Sequence, residues 1–392
     1  MVAVIDQGDV GALVLLDMSA AFDTIDHNIM MDVLQQRFGV QDSSLEWFRS
    51  YFADRTQVVV VGSDESTIRA LTIGAPQGSG LGPKSFVAYA EDVSEIFDLY
   101  RIPHHLFADD MQGISHAKPS LAADVVSVIE DCMSAVNSWC SSKRLKLKTI
   151  KTEVMWFGSA TNLKKLAPDV KQLHPGADVI EPVEIVRDLG VFFDSQLTMK
   201  SHIARTASAC FYHIRRLRSV RSRLGQEVTA RLVSALVLSR LDYCNAILAE
   251  LPQTTLAPLQ RVLHAAARLV LGLKPRDHVT AALRSFHLLP IVQRIKYKIC
   301  LLAHLAVTHQ APSYLSDLMT GVADVPGRAS LRSVGKQDLV ILRTKLKCGE
   351  RAFSVAAPRA WNRLPTELKC ITDTAIFKRK LKTFLFVEAY GL

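Results

Sequence analysis

No run of this sequence is long and apolar enough to cross a bilayer. The best candidate, Leu232 to Leu238, is bracketed by Arg231 and Arg240 and falls well short of the ~20 residues a spanning helix needs. Met1 to Val10 carries two aspartates and no basic cluster, so the pattern of a secretory signal is missing. Cysteine is scarce: seven in 392 residues, an odd number, scattered and never closely paired. That spacing argues against a disulfide framework and against a zinc module. It predicts reduced thiols in an intracellular chain, nuclear or cytoplasmic, with neither a membrane nor a disulfide-linked partner. No internal repeat or low-complexity tract occurs, which excludes solenoids and disordered tails as the organising principle.

What is present is the balance of a folded protein, 49% hydrophobic and 22% charged, long enough for two or three domains. The charge is lopsided. Residues 1–200 hold 17 Lys+Arg against 27 Asp+Glu, whereas residues 201–392 hold 30 against 11. An acidic half joined to a basic half suggests cations serving the first and a polyanion lying on the second; uneven surface charge without a partner is the plain alternative.

Along the chain, Gly11 to Leu16 is a continuous apolar run ending in Asp17, the pattern of a strand buried on both faces. Thr24 and Asp26 offer caps to a helix whose apolar face is Ile29, Met30, Val33, Leu34 and Phe38. A short helix at Leu45 to Phe52 precedes two strands, Gln57 to Val61 and Thr67 to Ile73, around a Gly62-Ser63-Asp64 turn. Gly74 to Pro83 packs four glycines and two prolines into a loop whose backbone can approach a ligand closely. It is not a Walker loop, because no Gly-Lys-Ser/Thr follows. The spacing then predicts one helix with Phe86, Val87, Ala90, Val93, Ile96 and Phe97 inward. In Ile102 to Ile114, apolar residues flank Asp109-Asp110, which reads as strand, tight turn, strand. A helix over Ser120 to Cys140 follows, then the alternating Lys143 to Lys148, a strand at Val154 to Gly158, and a strand pair kinked at Gly190. From His202 the texture is helical, with Arg215, Arg216, Arg218, Arg221 and Arg223 on one helix and its exit. A strand at Leu339 to Leu342 and a helix near Ala356 to Arg363 complete the expectation.

Three acids stand out: Asp17 at a strand end, and Asp109 and Asp110 at a hairpin tip. Paired acids among apolar residues are costly unless a cation or a wet cleft receives them; the ordinary reading is an Asp-rich turn. If the strands are neighbours, the acids meet at one edge. Oxygen ligands on a rigid sheet suit Mg²⁺, and two such ions can activate an attacking oxygen and stabilise the leaving one.

Asp17-Met18-Ser19-Ala20-Ala21-Phe22-Asp23, the Gly74-to-Pro83 loop and Phe107-Ala108-Asp109-Asp110 closely resemble motifs A, B and C of reverse transcriptases, most narrowly those of non-LTR (LINE-type) retrotransposons. Leu145 to Glu153 is similar to motif D and Val186 to Phe193 to motif E; the basic helices after His202 are similar to the thumb, and Ala357 to Pro365 to the C-terminal region of such elements. The resemblance implies an α+β fold: a polymerase palm with an antiparallel sheet backed by helices over 1–200, a helical basic thumb-like region over 201–325, and a small basic region over 326–392. It implies RNA-directed DNA synthesis by two-metal nucleotidyl transfer, with Mg²⁺ or alternatively Mn²⁺ on Asp17, Asp109 and Asp110. By the same resemblance, Phe22 is a steric gate against the ribose 2′-hydroxyl, and Gln77 and Gly78 lie against the template–nucleotide pair. Lys151 is the motif D lysine near the leaving pyrophosphate, and Arg215 and Arg218 track duplex backbone. The implied partners are an RNA template, a DNA primer or RNA–DNA hybrid, and deoxynucleoside triphosphates. Phe22 as a core aromatic and Lys151 as a solvated lysine are the structural alternatives.

Departures from the family pattern accompany these matches. Motif A begins near residue 1, so the fingers segment that precedes it in the family is not in this sequence, and Gly80 and Lys148 replace an aliphatic residue and an asparagine. They leave an alternative expectation, a catalytically inactive remnant that retains only nucleic-acid binding. A two-metal phosphohydrolase is a third reading, one that gives Phe22 and the Gln77 loop no role.

Overall fold

The computed structural model describes residues 1–19, 22–76, 78–176, 178–274, 276–325 and 337–391. They form two compact units: Gly8–Asp188 together with Met1, and Leu189–Leu392 together with Val2–Gln7. Gln77, Ala20, Ala21 and the stretch 326–336 lie outside the described residues.

The first unit is built on strand β1 (Val10–Asp17). After β1 come helices α2 (His27–Gln36) and α3 (Asp42–Phe52), numbered after the N-terminal α1 (Val2–Gln7) of the other unit. Short strands β2 (Arg55–Gln57), β3 (Val60–Val61), β4 (Asp64–Glu65) and β5 (Arg69–Leu71) precede α4 (Gly82–Ala90) and α5 (Val93–Leu99). Then come β6 (His104–Phe107), β7 (Asp110–Ala117), α6 (Ala122–Ser142), β8 (Glu153–Phe157), the short α7 (Ala160–Leu163) and α8 (Pro168–Lys171), and β9 (Ile185–Asp188). The main sheet is antiparallel in the order β6-β7-β1-β8, the α+β arrangement expected.

Side chains alternate faces along a strand, and β1 uses both. Val10, Ala12, Val14 and Leu16 join Met111, Val154 and Trp156 in one core with the apolar stripes of α2 to α6. On the other face, Gly11 lies under the Phe157 ring so closely that a Cβ could not be added without displacing it. Asp26 caps α2, accepting from the Asn28 and Ile29 amides at 2.9 and 3.1 Å.

Three local expectations change. Phe38, expected on the apolar face of α2, lies past the end of that helix and is exposed. The helix expected through Phe97 is two helices, interrupted by a turn at Glu91 and Asp92; there the Asp92 carboxylate accepts Trp139 Nε1 at 3.1 Å and the Lys143 ammonium at 2.9 Å, and Val87 is exposed rather than inward. The expected pair of long strands after α3 is two short ladders, β2–β5 and β3–β4, whose valines 58–61 are exposed.

The second unit opens with β10 (Val191–Asp194) and the long helix α9 (Lys200–Val233), broken at Gly225 with φ 68° and ψ 175°. A π turn (Ser234–Leu238), α10 (Ser239–Asp242) and a 3₁₀ turn (Asn245–Leu248) follow. Helices α11 (Gln253–Leu271), α12 (Thr280–Ser285), α13 (Ile291–Val307), α14 (Ser313–Ser316), α15 (Phe353–Asn362), α16 (Thr366–Lys369) and α17 (Thr374–Tyr390) complete it. One core joins α9, α11 and α13 to Trp361, Phe377 and Leu381. The strand expected at Leu339 is a single bridge to Gly321, because the Asn362 amide satisfies both the N–H and the carbonyl of Leu339, each at 2.8 Å.

Candidate active site

The register of β1 against β7 sets Leu16 opposite Met111 and Asp17 opposite Asp110. The first pair points into the core, so alternation sends the two aspartates to the other face, at the Cβ spacing of directly opposed residues, about 4.5–5.5 Å. Phe107 pairs with Asp110, leaving Ala108-Asp109 as the whole of the turn. Ala108 adopts φ 53°, a conformation that costs a non-glycine residue about 1–2 kcal/mol. The sheet therefore gathers Asp17 and Asp110 and hangs Asp109 at the tip.

Electrostatics record the gathering. Burial foremost, then the charge of Asp109 and then of Asp17, push the Asp110 carboxyl above the ordinary carboxylate range, while Lys151 opposes the shift. Lys151 reaches the cluster because Lys146 to Lys148 is zipped against the end of β1. Met18 bridges Leu147, the Ser19 N–H donates to Lys146 O at 2.8 Å, and the Lys148 N–H donates to Asp17 O at 2.9 Å. Leu145 and Leu147 are buried, which is why the stretch alternates basic and apolar residues. A 3₁₀ turn, Thr149–Lys151, then carries the ammonium to 2.9 Å from Asp17 Oδ2. The hydrogen bond to Asp17, and then its charge, raise the pKa of that ammonium.

The Gly74 loop is strapped to the segment after Asp17. The Ala75 N–H donates to Phe22 O at 2.8 Å, the Gly74 N–H to Ile25 O at 2.7 Å, and His27 Nε2 lies 2.9 Å from Gly74 O. Gly74 has φ 89°, and a Cβ there would meet Asp23 O at 3.0 Å, so the close strap requires glycine. Ser79 Oγ locks the next turn, donating to Pro76 O at 2.8 Å and accepting from the Gly82 N–H at 2.9 Å. Phe22 is half-buried, its ring 5.1 Å from that of Phe86, and Gly78 is exposed at φ 78°. Gln77 lies outside the described residues.

Of the candidates in this unit, Asp17, Asp110, Asp109 and Lys151 converge, and Phe22 is tied to the loop carrying Gly78. Arg215 and Arg218 belong to the second unit, exposed on α9 and without an ion pair among the described residues. Their neighbour Arg221 instead donates to Leu269 O and Val270 O at 3.0 and 2.9 Å, closing the end of α11. One residue was not singled out from the sequence. Asp188, on β9, accepts from Gln112 Nε2 at 2.6 Å, and burial and then the charge of Asp110 raise its carboxyl pKa. Nothing in the linear pattern marks it; β9 lies outside the main sheet, and the side-chain bond to Gln112 on β7 is what places it near the acidic hairpin.

Among the described residues, no group of three His, Cys, Asp or Glu side chains is close enough to enclose a metal ion. The donor set itself is all carboxylate oxygen, the chemistry of a hard divalent cation. No helix among the described residues is long and apolar enough to cross a membrane, and all seven cysteines are free thiols.

Residues 5–191 match the family described as Reverse transcriptase (RNA-dependent DNA polymerase). The chain is 23% identical over 210 residues to a probable RNA-directed DNA polymerase from transposon BS of Drosophila melanogaster, covering 52% of this chain and 22% of that protein. It is 25% identical over 199 residues to the RNA-directed DNA polymerase from mobile element jockey of the same organism, covering 50% and 21%. The chain thus spans about a fifth of the length of these relatives. The matched region holds the β1, β6–β7 and β8 sheet with all of its acids, and through it this part of the chain is similar to the reverse transcriptase family and to transposon polymerases.

Proposed function

We propose that this chain supplies the palm and a basic helical thumb of a LINE-type reverse transcriptase, adding deoxynucleotides to a primer on an RNA template. The observation that carries the reading is the in-register opposition of Asp17 and Asp110, with the Lys151 ammonium seated on Asp17. Asp17, Asp109 and Asp110 would hold Mg²⁺, or Mn²⁺ in its place. When bound, such ions supply charge neutralisation at the triphosphate and activation of the primer hydroxyl.

The chain's own groups have separable tasks. Asp17 and Asp110, fixed by the ladder, present oxygens from a rigid sheet, so little rearrangement is required on binding. Lys151, exposed and on a short turn, can leave Asp17 and meet a departing pyrophosphate as phosphate contact or proton donor. Phe22, braced by Phe86, would set the floor under the sugar and disfavour a 2′-hydroxyl. The backbone at Gly78, with Gln77, would lie against the template–nucleotide pair. Arg215 and Arg218 would contact duplex phosphates without reading sequence.

A second reading, nucleic-acid binding without synthesis, rests on the departures from the family pattern at Gly80 and Lys148 together with the exposed Arg215 and Arg218 of α9. Primer extension on an RNA template by the full chain, with Asp109→Asn as control, separates the two. Extension that disappears in the variant supports synthesis. Salt-sensitive binding with no extension by the unsubstituted chain overturns it in favour of binding alone.

A further inference from the structure

A cavity of about 450 Å³ in the second unit plays no part in the chemistry above. One wall is the π turn Ser234–Leu238 leading into α10; such turns are rare and recur at functional sites. A second is the chain around Phe286, and a third comes from Tyr297 and Lys298 on α13 with Lys382 on α17. The volume falls in the range of small-molecule pockets, ~300–1,000 Å³.

Its polar groups specify a ligand. Asn245 lines the cavity, is 3% exposed, and its Oδ1 has no hydrogen-bond partner. A buried polar atom of this kind requires an explanation. The amide cannot be turned round freely, because Asn245 Nδ2 faces Asp242 Oδ1 at 3.4 Å, and a carboxylate only accepts. Asp242 is in turn held by Arg294, whose Nε donates at 2.7 Å and whose Nη2 pairs with the other oxygen. The leftover Oδ1 is thus an acceptor awaiting a donor. The Asp242 and Arg294 charges cancel, whereas Lys298 and Lys382 have no ion-pair partner among the described residues, so the lining is net positive. An acceptor, aromatic surface and two unneutralised ammonium groups match an N–H-bearing planar edge joined to a phosphate.

We infer that this cavity binds one nucleotide unit, its base edge donating to Asn245 Oδ1 against Phe286 and Tyr297, its phosphate met by Lys298 and Lys382. The unit can be a free nucleoside monophosphate or one residue of a single strand. The site shares no residue with the acidic face, so it stands whether or not that face polymerises.

The test is calorimetric titration of the full chain with adenosine or cytidine monophosphate, inorganic phosphate, and a short single-stranded RNA. Binding of a monophosphate, weakened at least tenfold in the Lys298→Gln/Lys382→Gln double variant with an unchanged melting temperature, is the expected result. Asn245→Ala should weaken the nucleotides and leave inorganic phosphate unaffected; should that variant fail to fold, the lysine variant on the surface still decides. Arg215→Gln/Arg218→Gln should leave monophosphate affinity unchanged, separating this site from the duplex contacts proposed above. Lysine-dependent binding of the monophosphate alone assigns the pocket to free nucleotides, and of the strand alone to single-stranded RNA. No nucleotide or strand binding at millimolar concentration, or binding indifferent to the lysine variant, overturns the inference.

Discussion

Replacing Tyr89 by phenylalanine removes one oxygen from the centre of the first unit, and the structure says what that oxygen does. Tyr89 is fully buried. Its hydroxyl donates to Lys143 O at 2.6 Å and accepts from the Asp26 N–H at 3.3 Å. It therefore ties α4 to the end of α6, where the alternating Lys143 to Lys148 stretch begins, and to the cap of α2, just past Phe22. The phenylalanine ring fills nearly the same volume, so no cavity term enters. The loss is a strong bond whose carbonyl partner stays buried, about 1–3 kcal/mol, plus a smaller contribution from the longer bond, about 2–3 kcal/mol in total. At about 2–4 °C per kcal/mol for a unit of this size, the melting temperature of the first unit should fall by roughly 5–10 °C. Circular dichroism melts of the full chain measure it, with Tyr100→Phe, a half-buried tyrosine with no such bridge, as control. Ultraviolet titration adds a second check, because burial pushes the Tyr89 phenol up to about 12, and it should ionise last among resolvable tyrosines. A Tyr89→Phe chain that melts within 1 °C of the parent would show that the bridge carries no load.

Asp110→Asn should raise stability at neutral pH in the absence of divalent ions. The carboxyl is held above its ordinary range, so its contribution to folding is intact below about pH 4 and lost as pH rises through the raised value. The advantage of the variant should therefore vanish near pH 4, and a variant that melts lower than the parent at pH 7 in chelator contradicts the assignment. Gly11→Ala forces a methyl into the Phe157 ring and should cost about 1–3 kcal/mol; Phe157→Leu in the same chain should recover part of that loss, measured as a double-mutant cycle. Native thiol titration should label the exposed Cys244 and Cys370 quickly. Cys132, Cys140, Cys210 and Cys300 should stay silent, because they are buried with thiols pushed up to about 11, 12, 11 and 12; rapid labelling of all seven would contradict the packing.

What the residues disclosed and what they hid follow from range. β1 was legible because an apolar run ending in aspartate is a local pattern, and so was the hairpin, because Asp109-Asp110 interrupts alternating apolar residues. The capping role of Asp26 needed only its neighbours. The break between α4 and α5 was invisible, since the apolar spacing runs on through Phe97, while Asp92 at the break meets Trp139 and Lys143 from the far end of α6. Leu339 looked like a strand residue, yet its backbone groups are taken by Asn362. The opposition of Asp17 and Asp110 is a fact of register, and the meetings of Lys151 with Asp17 and of Asp188 with Gln112 are long-range side-chain contacts; no local window contains them.

That register has a further meaning. A slip of β1 by a single residue would turn Val10, Val14 and Leu16 out of the core and drive Asp17 into it. With each large side chain worth about 1.5–3 kcal/mol on burial, a misaligned site is nearly as rare as an unfolded molecule. The carboxylates are thus proofread by the oil behind them: substitutions among those valines and leucines should lower the amount of folded protein and leave the survivors correctly set.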